Sequence, residues 1–369
     1  MNWTEYTLGE LLSYEQPTNY IVESTKYNDK FLTPVLTAGK TFILGYTNEK
    51  DGIYSDLPVI IFDDFTTASR YVNFPFKVKS SAMKILTPNI ELVIPKFIYY
   101  RMQAIQFDSS THKRYWIQQY SKIKVAVPPI LVQEQIVSRI EELFSKLDKG
   151  VETLQTIKQQ LAVYQQVILK EEFAETTKYA PFGTIMQSRL GKMLDKKKNT
   201  GVLQRYLRNI NVRWFSFDLS DIQQMKIEPS EHEKYSIEPG DLIICEGGEP
   251  GRCAVWESSE TVYYQKALHR VRFCADKNPK YYMYYLWYAA QCGKLSSYFT
   301  GTGIKHLTGQ SLERVPVPVI EREDQDNVVK RIETHLSVCK SIDITVRTAL
   351  MQADAMRQSI LRQAFEGEI

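Results

Sequence analysis

The chain has 369 residues, which is enough for two domains or more, and its net charge of +3 means that any basic surface must be local. Its five cysteines form no C-x-x-C pair, so the sequence predicts neither a disulfide framework nor a zinc site and fits a reducing cytoplasm. No apolar run reaches the length of a membrane-spanning helix, and residues 1–5 lack a basic-then-apolar signal, so we expect a cytoplasmic protein without a membrane partner.

The first segment, residues 1–124, predicts a mixed α/β module. Short apolar runs bounded by turn residues predict strands at 34–36, 41–44, 59–62, 74–78 and 82–86. A helix is predicted over 95–106, with Pro95 in its first turn. A polar stretch over 109–116 closes the module.

Residues 125–176 contain a heptad pattern that predicts one long helix. Its two series of apolar positions are Ile136, Leu143, Ile157, Tyr164 and Ile140, Leu147, Leu154, Leu161, Ile168. Only Gly150 interrupts the pattern. A long helix with a narrow apolar stripe needs a partner helix.

The whole plan then repeats. Residues 177–313 predict a second mixed module, and residues 314–369 predict a second long helix whose pattern follows the first after a shift of 192 positions. Its two series are Val328, His335, Ile342, Ala349, Met356 and Ile332, Cys339, Val346, Ala353, Ile360. The helix ends also correspond, with Phe173 matching Phe365. The chain is therefore predicted to consist of two half-molecules.

The sizes of the seam residues favour an antiparallel pairing of the two long helices. With their midpoints together, Leu143 and Leu147 fall near Ala353 and Ala349, and Gly150 falls near Val346. Large residues opposite small ones give an even gap between the helices.

Catalytic patterns are weak. Gly39-Lys40-Thr41 lacks the earlier glycine of a phosphate-binding loop, because position 34 is proline. Asn278-Pro279-Lys280-Tyr281 resembles the tetrad of amino-methyltransferases, but no methyl-donor loop precedes it, and a helix start at Pro279 explains it better. The five histidines have no metal-binding spacing. The sequence therefore favours a binding protein over an enzyme.

Basic residues point to nucleic acid as the ligand. The stretch from Arg189 to Arg213 holds several lysines and arginines, and Gly301, Gly303 and Gly309 flank Lys305 and His306. Lysines and arginines neutralise phosphates, and glycines let a loop approach a backbone closely. The tyrosine-rich run 281–288 is instead predicted to be mostly the core-facing side of a helix.

The entries to the two long helices carry a family resemblance. Val127-Pro128-Pro129 and Val317-Pro318-Val319 are followed by Glu134-Gln135 and Asp324-Gln325, then by Arg139-Ile140-Glu141 and Arg331-Ile332-Glu333. The stretch 357–367 is typical of the same family. On these residues the chain resembles the DNA-specificity subunit of type I restriction–modification systems, over essentially its whole length.

The resemblance implies an α+β fold with two mixed α/β target-recognition domains, separated by two long helices that form an antiparallel coiled coil. Target-recognition domains would span 1–124 and 177–313, and conserved helical regions 125–176 and 314–369. Each domain would read one half of a split sequence in double-stranded DNA, and the helices would set the spacing.

The resemblance also implies partners and cofactors. Two modification (methyltransferase) subunits would dock on the helices, and restriction–translocase subunits would join them. The chain would hold no cofactor of its own, since S-adenosylmethionine and ATP belong to the partner subunits. The residues that we expect to pair the helices or dock these partners are Ile140, Leu147, Leu154, Leu161, Ile168, Phe173, Ile332, Val346, Ile360 and Phe365.

For DNA contact we select basic residues from both modules. They are Lys40, Arg70, Lys113 and Arg114 in the first module and Arg189, Lys192, Arg208, Arg213, Lys266, Lys305 and His306 in the second. The first module lacks the glycine-rich loop of the second, because Thr111-His112-Lys113-Arg114-Tyr115 replaces Gly301-Thr302-Gly303-Ile304-Lys305.

Two other functions fit the sequence. One is a methyltransferase or restriction enzyme with a fused specificity region, and the other is a coiled-coil scaffold that binds only protein. The missing methyl-donor loop argues against the first, and DNA binding would exclude the second.

Overall fold

Two units, each with its own hydrophobic cores, make up the chain in the computed structural model, which describes residues 3–39, 41–108, 114–174, 177–195 and 199–367. Unit 1 comprises Met1–Gln155 and Arg347–Ile369, and unit 2 comprises Thr156–Val346. The division cuts through both long helices rather than at their ends. Within the described residues, no helix has the length and apolar character needed to cross a membrane.

Unit 1 begins with short strands and two short helices that precede the first long helix. The strands are β1 Thr4–Thr7, β2 Leu12–Glu15, β3 Thr33–Leu36, β4 Ile43–Thr47, β5 Val59–Asp63, β6 Ser69–Val72, β7 Lys77–Val78, β8 Met83–Pro88 and β9 Lys124–Val127. The helices are α1 Leu8–Leu11, α2 Pro95–Gln103 and the long α3 Ile130–Ala174, which continues into unit 2.

Unit 1 is built on an antiparallel sheet of strand order β2-β8-β5-β6, with a second sheet of order β4-β3-β7 and the pair β1-β9. The run Val59–Asp63 is buried on both faces, because one apolar cluster takes Ile60 and Phe62 and another takes Ile61. This explains its unbroken apolar sequence. Helix α2 covers the first cluster and ends at Gln103, three residues before the predicted end at 106.

Unit 2 contains the remaining strands and helices. The strands are β10 Tyr179–Pro181, β11 Met186–Leu190, β12 Val202–Leu207, β13 Val212–Arg213, β14 Ser216–Phe217, β15 Gln223–Ile227, β16 Ser236–Ile237, β17 Leu242–Cys245, β18 Cys253–Val255, β19 Val262–Tyr264, β20 Leu268–Phe273 and β21 Pro316–Pro318. The helices are α4 His232–Tyr235, α5 Pro279–Gln291, α6 Gly309–Arg314 and the long α7 Arg322–Glu366, which continues into unit 1.

The sheets of unit 2 follow the plan of unit 1. The antiparallel sheet β11-β20-β17-β18 corresponds to β2-β8-β5-β6, and the pair β10-β21 corresponds to β1-β9. The mixed sheet β15-β12-β19-β16 corresponds to β4-β3-β7, because each has one antiparallel pair followed by one parallel pair, and β16 extends it in this unit. Helix α5 carries the tyrosine-rich run, and Tyr281 to Ala289 are buried in it, so the prediction that this run faces the core is confirmed.

A buried glutamine fixes the start of each long helix. In unit 1, Gln133 accepts a hydrogen bond from Ile94 N at 2.8 Å and donates to Pro128 O at 2.8 Å. In unit 2, Gln325 accepts from Asn278 N at 2.8 Å and donates to Ile320 O at 2.9 Å. Both side chains are 0% exposed. Gln133 and Gln325 are therefore equivalent positions of the repeat. The sequence motif had instead aligned Gln325 with Gln135, two residues later than Gln133.

One of the two predicted heptad series is buried or half-buried, and the other is partly wrong because four of its positions are exposed. Ile140, Ile168, Ile332, Cys339 and Val346 are buried, and the remaining pairing positions Leu147, Leu154, Leu161 and Ile360 are half-buried. In the other series Tyr164 and His335 are exposed, and Ile342 and Met356 are 38% and 55% exposed.

The second stripe of α7 lies one residue later than predicted. It runs through Val329, Leu336, Asp343, Leu350 and Arg357, which are all buried or half-buried. The sequence conceals it because Asp343 and Arg357 are charged, and a strict heptad count assigns charged residues to the surface.

The antiparallel register also differs from the predicted one. In unit 1, Arg357 of α7 packs over the ring of Phe144 of α3 at 4.6 Å and pairs with Asp148. Midpoint pairing would have placed Arg357 beside Arg139, which lies about 1.4 helical turns before Phe144 and about 2.5 turns before Asp148. In unit 2, Tyr164 Oη lies 3.2 Å from His335 Nδ1, and Arg331 forms two hydrogen bonds with Glu172.

Contacts at the helix ends accompany this register. Phe365 packs on Phe97 of α2 at 5.5 Å, and Phe173 packs on Tyr281, Tyr285 and Tyr288 of α5.

Candidate nucleic-acid interface

The glycine-containing loop that precedes α6 in unit 2 is tied to the ends of two strands. Leu307 N donates to Glu246 O at 2.7 Å, just after β17, and Glu246 N donates to Ala267 O at 2.9 Å, just before β20. Lys266 N donates in turn to Lys192 O at 2.9 Å. Backbone hydrogen bonds therefore bring the segments of Lys192, Lys266 and the loop into one surface.

The loop closes on itself through a pair of backbone hydrogen bonds between Thr300 and His306, at 2.8 and 2.9 Å. Gly301 has φ +96°, and a Cβ there would lie 2.3 Å from Ile304 O, so only glycine fits. A Cβ at Gly247 would lie 3.1 Å from His306 Nδ1. The glycines thus allow the tight turn that exposes Lys305 and His306 to solvent, as Lys266 is exposed beside them.

A buried histidine supports this loop from below. His269 of β20 is 1% exposed, and its Nε2 lies 2.9 Å from Leu307 O, while its Nδ1 has no hydrogen-bond partner. Burial lowers the pKa of His269 below its usual value, so the ring is neutral and donates through Nε2.

Unit 1 anchors the corresponding segment in the same place. Tyr115 N donates to Asp64 O at 2.9 Å, just after β5, and Trp116 N donates to Asp64 Oδ1 at 2.8 Å. Lys84 of β8, at the position of His269, lies 3.5 Å from the Asp64 carboxylate, and both are buried. Tyr115 and Trp116 are buried too, so they are core residues and present no stacking surface.

The predicted contact residues of unit 1 are only partly described. Lys40 and Lys113 lie outside the described residues. Arg114 is exposed at the start of the anchored segment. Arg70 on β6 is half-buried and donates from Nη2 to Gly39 O at 3.2 Å, so it supports the turn between β3 and β4.

Two predicted contact residues of unit 2 are already paired with acids. Arg208 pairs with Asp221 at 2.6 Å, and Arg213 lies 3.6 Å from Asp218. Hydrogen bonding from Arg208 lowers the pKa of Asp221, and a hydrogen bond from Ser220 lowers the pKa of Asp218. Binding of a phosphate by either arginine would compete with these carboxylates.

Lys192 and Arg189 differ in exposure. Lys192 is 7% exposed and pairs with Glu231. Burial acts to raise the pKa of Glu231, but the Lys192 ammonium and a backbone hydrogen bond lower it overall. Arg189, three residues earlier on β11, is exposed and faces a polar cleft.

The cleft contains basic residues that the sequence analysis missed. Lys234, Arg270 and Arg272 line it together with Arg189. The signal was present in His269-Arg270-Val271-Arg272, because alternation in a strand places Arg270 and Arg272 on one face. Neither Arg270 nor Arg272 was among the residues selected from the sequence.

Among the described residues, no group of three or more His, Cys, Asp or Glu side chains could hold a metal ion. The five cysteines are unpaired, and burial raises the pKa of Cys245 to about 11. The exposed basic loop and the cleft are suited to binding a polyanion.

Comparison with protein families and curated proteins also indicates a DNA-recognition protein as the relative of this chain. Residues 1–162 match the family described as type I restriction modification DNA specificity domain. The chain is 43% identical over 174 residues to a type I restriction enzyme specificity subunit of Escherichia coli, an alignment that covers 44% of this chain and 43% of that protein. It is 23% identical over 271 residues to the EcoKI specificity subunit of Escherichia coli strain K12, covering 68% of this chain and 58% of that protein.

A third relative matches over more of its length. It is the StySPI specificity subunit of Salmonella potsdam, 21% identical over 384 aligned positions, which cover 96% of this chain and 78% of that protein. The chain thus spans less than two thirds of the length of the first two relatives. These matches confirm the resemblance noted in the sequence.

Solved structures share the fold. A chain from a structure of a type I restriction–modification system superposes with a TM-score of 0.75 at 14% identity, covering 100% of this chain and 98% of that one. The HsdS subunit from Thermoanaerobacter tengcongensis superposes with a TM-score of 0.55 at 15% identity, covering 100% and 97%. The mixed α+β fold with two long helices is therefore shared with these proteins.

Proposed function

Because residues 1–162 belong to the family of type I restriction modification DNA specificity domains, we propose that the chain is the specificity subunit of a type I restriction–modification complex. In this role it selects the DNA sequence on which the complex acts. Each unit contributes one target-recognition domain, and each domain reads one half of a bipartite site in double-stranded DNA.

The observation that carries the proposal is the internal repeat of one anchor with two different loops. Asp64 O accepts from Tyr115 N in unit 1, and Glu246 O accepts from Leu307 N in unit 2, at equivalent ends of β5 and β17. The segments held there differ, since Lys113-Arg114 occurs in the first and Lys305-His306 in the second. A common scaffold with unlike loops suits a protein that reads two unlike half-sites.

The long helices fit the role of a spacer and a docking surface. Early α3 lies against late α7 in unit 1, and late α3 lies against early α7 in unit 2, as an antiparallel coiled coil requires. We propose that this coiled coil sets the distance between half-sites and docks two modification subunits, which restriction–translocase subunits then join.

The chain itself is proposed to be non-catalytic. S-adenosylmethionine and ATP would bind to the partner subunits and not to this chain. We propose that the protein works with these partner subunits in the cytoplasm of a bacterium or archaeon.

The proposed DNA contacts follow the exposed basic residues. Lys305, His306, Lys266 and Arg189 in unit 2 and Arg114 in unit 1 are exposed, which supports direct contact. Arg208 and Arg213 would exchange their carboxylate partners for phosphates. Lys192 would contact DNA from a buried position and Arg70 from a half-buried one. Lys40 and Lys113 remain proposed contacts from the sequence alone. Bidentate contacts with base edges discriminate by ~1–3 kcal/mol each.

Lys305→Ala tests the DNA role of the glycine-containing loop. The full chain, assembled with its cognate modification subunits, is titrated with target and scrambled duplexes over a range of salt concentrations. If Lys305 binds a phosphate, the variant binds both duplexes more weakly and the slope of log K against log salt falls by ~0.9.

Lys226→Ala is the matched control, because Lys226 is exposed on β15 of the same unit and its substitution removes the same charge. It should leave the slope unchanged. A Lys305→Ala loss confined to one base position would make Lys305 a base reader. A wild-type complex that binds the target and scrambled duplexes equally would contradict the proposed function.

A further inference from the structure

A polar cleft of about 430 Å³ lies on one face of the sheet formed by β11 and β20 in unit 2. We call it the arginine cleft. Its lining residues include four basic side chains and one acidic one: Gln187, Ser188, Arg189, Ser230, Glu233, Lys234, Arg270 and Arg272. The imbalance of charge makes an anion the natural ligand.

Arg270 is the most unusual of these residues. It is 7% exposed, its Nη1 donates to Ser236 O, and its guanidinium lies 5.7 Å from the ring centre of Tyr264. Within the described part of the chain, no carboxylate lies within ion-pair distance of Arg270 or Arg189. A buried charge without a counter-ion is costly, so an anion in the cleft would stabilise it.

The strand register brings a second like charge directly opposite. Arg189 of β11 pairs with Arg270 of β20, and Gln187 pairs with Arg272. Like charges at directly opposite positions repel each other. Arg272 is neutralised by Asp241 at 2.8 Å and Glu238 at 2.7 Å, whereas Arg189 and Arg270 form no direct ion pair among the described residues.

The fold does not require this arrangement. In unit 1 the corresponding strands pair Glu15 with Ile85 and Ser13 with Thr87. The same sheet therefore forms with no arginine at these positions. The arginine cleft is an addition to unit 2, and its charge calls for an explanation other than folding.

We propose that the arginine cleft binds a phosphate group through Arg189, Arg270 and Lys234, and that in the complex this group belongs to the backbone of the bound DNA. The assignment to DNA rests on the proposed function, while the phosphate chemistry does not. Planar guanidinium groups match phosphate oxygens in a bidentate geometry, and Lys234 supplies a further charge from the rim. Glu233 offsets part of the positive charge.

Arg189→Gln and Lys234→Gln test the proposal, because both side chains are exposed and their loss should not prevent folding. Lys226→Gln, outside the cleft, is the control of equal charge. In the first arm, the thermal midpoint of the full chain is followed as inorganic phosphate replaces chloride at constant ionic strength. The thermal midpoint of the wild type and of Lys226→Gln should rise with phosphate and reach a plateau. The thermal midpoint of Arg189→Gln should not rise.

In the second arm, the complex with its modification subunits is titrated with DNA over a range of salt. Arg189→Gln should reduce the slope of log K against log salt by ~0.9. It should also weaken the binding of target and unrelated duplexes by the same factor. Lys226→Gln should change neither.

The two arms separate the outcomes. A phosphate effect with an unchanged DNA slope supports phosphate binding but assigns it to a free anion and overturns the DNA source. No difference between Arg189→Gln and Lys226→Gln in either arm overturns the proposal. A wild-type complex without sequence preference would contradict the proposed function, and the phosphate arm would still decide the chemistry of the cleft.

Discussion

At the scale of single residues, the two units place different side chains at one buried position. Lys84 lies on β8 in unit 1 and His269 lies on β20 in unit 2, and these are equivalent inner strands of the two sheets. Both side chains lie under the segment that is predicted to contact DNA. Lys84 is balanced by the Asp64 carboxylate, whereas the neutral ring of His269 supports a backbone carbonyl. The two anchors should therefore respond differently to mutation and to pH.

Asp64→Ala should destabilise the chain by ~3–5 kcal/mol, because it leaves the buried Lys84 ammonium unpaired. It also removes the acceptor of Trp116 N. Urea denaturation measures the loss. Asp29→Ala, at an exposed position of the same unit, should stay within ~0.5 kcal/mol of wild type, and an equally small effect of Asp64→Ala would refute the anchoring role.

His269 makes stability depend on pH. Its pKa in the folded chain lies below its usual value because of burial, so the unfolded chain takes up the proton first as pH falls. The stabilisation is fully present above the usual histidine pKa and is lost as pH falls below it, by at most ~1.4 kcal/mol per pH unit.

His269→Gln should flatten this dependence. The free energy of unfolding is compared at pH 7.5 and at pH about 5.5 for the wild type and the variant. Equal losses of stability in both proteins would show that His269 does not titrate in this way.

At the scale of helices and strands, the repeat supplies natural matched pairs. Phe173 and Phe365 occupy corresponding positions near the ends of α3 and α7. Phe173 is 1% exposed beneath three tyrosines of α5, whereas Phe365 is half-buried against Phe97 and Arg101. Equal positions in the sequence are therefore unequal in packing.

Phe173→Ala should cost ~3–5 kcal/mol, the usual cost of removing a buried aromatic ring, and Phe365→Ala should cost clearly less. Hydrogen exchange of each unit, followed in both variants, reports where stability is lost. Equal costs, or a larger cost for Phe365→Ala, would contradict the packing described for the two helix ends.

The same elements show what the sequence could predict. Heptad spacing correctly placed Ile140, Ile168 and Ile332 in the interior, since one series of large apolar residues suffices to locate a stripe. It misplaced the second stripe of α7 because Asp343 and Arg357 interrupt the apolar pattern. The observed register joins residues of α3 and α7 that lie far apart in the sequence, such as Asp148 and Arg357.

The candidate site was predictable only in part. The sequence singles out Gly301 and Lys305 because glycines close to a lysine are a local signal, and their role in DNA binding stays a prediction. Arg270 was missed because its position in the cleft depends on Arg189, which lies 81 positions earlier and directly opposite in the sheet. Pairing across strands is not a local property of the sequence.

At the scale of the whole molecule, two alternatives to a specificity subunit remain testable. An enzyme with a fused specificity region would methylate or cut DNA without partners. A protein-only scaffold would recruit a methyltransferase without directing it. The proposed subunit would do neither alone, but would determine which DNA sequence its partner modifies.

The unlike loops make a prediction at this scale. His306→Ala, which keeps the charge of Lys305, should impair reading of one half-site only, so that methylation spreads to sequences altered in that half. Methylation of a library with each half randomised measures the effect. Relaxation of both halves at once would contradict the assignment of one half-site to each unit.

Sequencing of modified adenines in host DNA tests the central claim most directly. DNA is compared from cells with and without this chain, with the cognate modification subunit present in both. The account predicts that a split motif with a fixed gap is methylated only when the chain is present. Continued methylation of the same motifs without the chain, together with failure of the purified chain to recruit a methyltransferase, would contradict it.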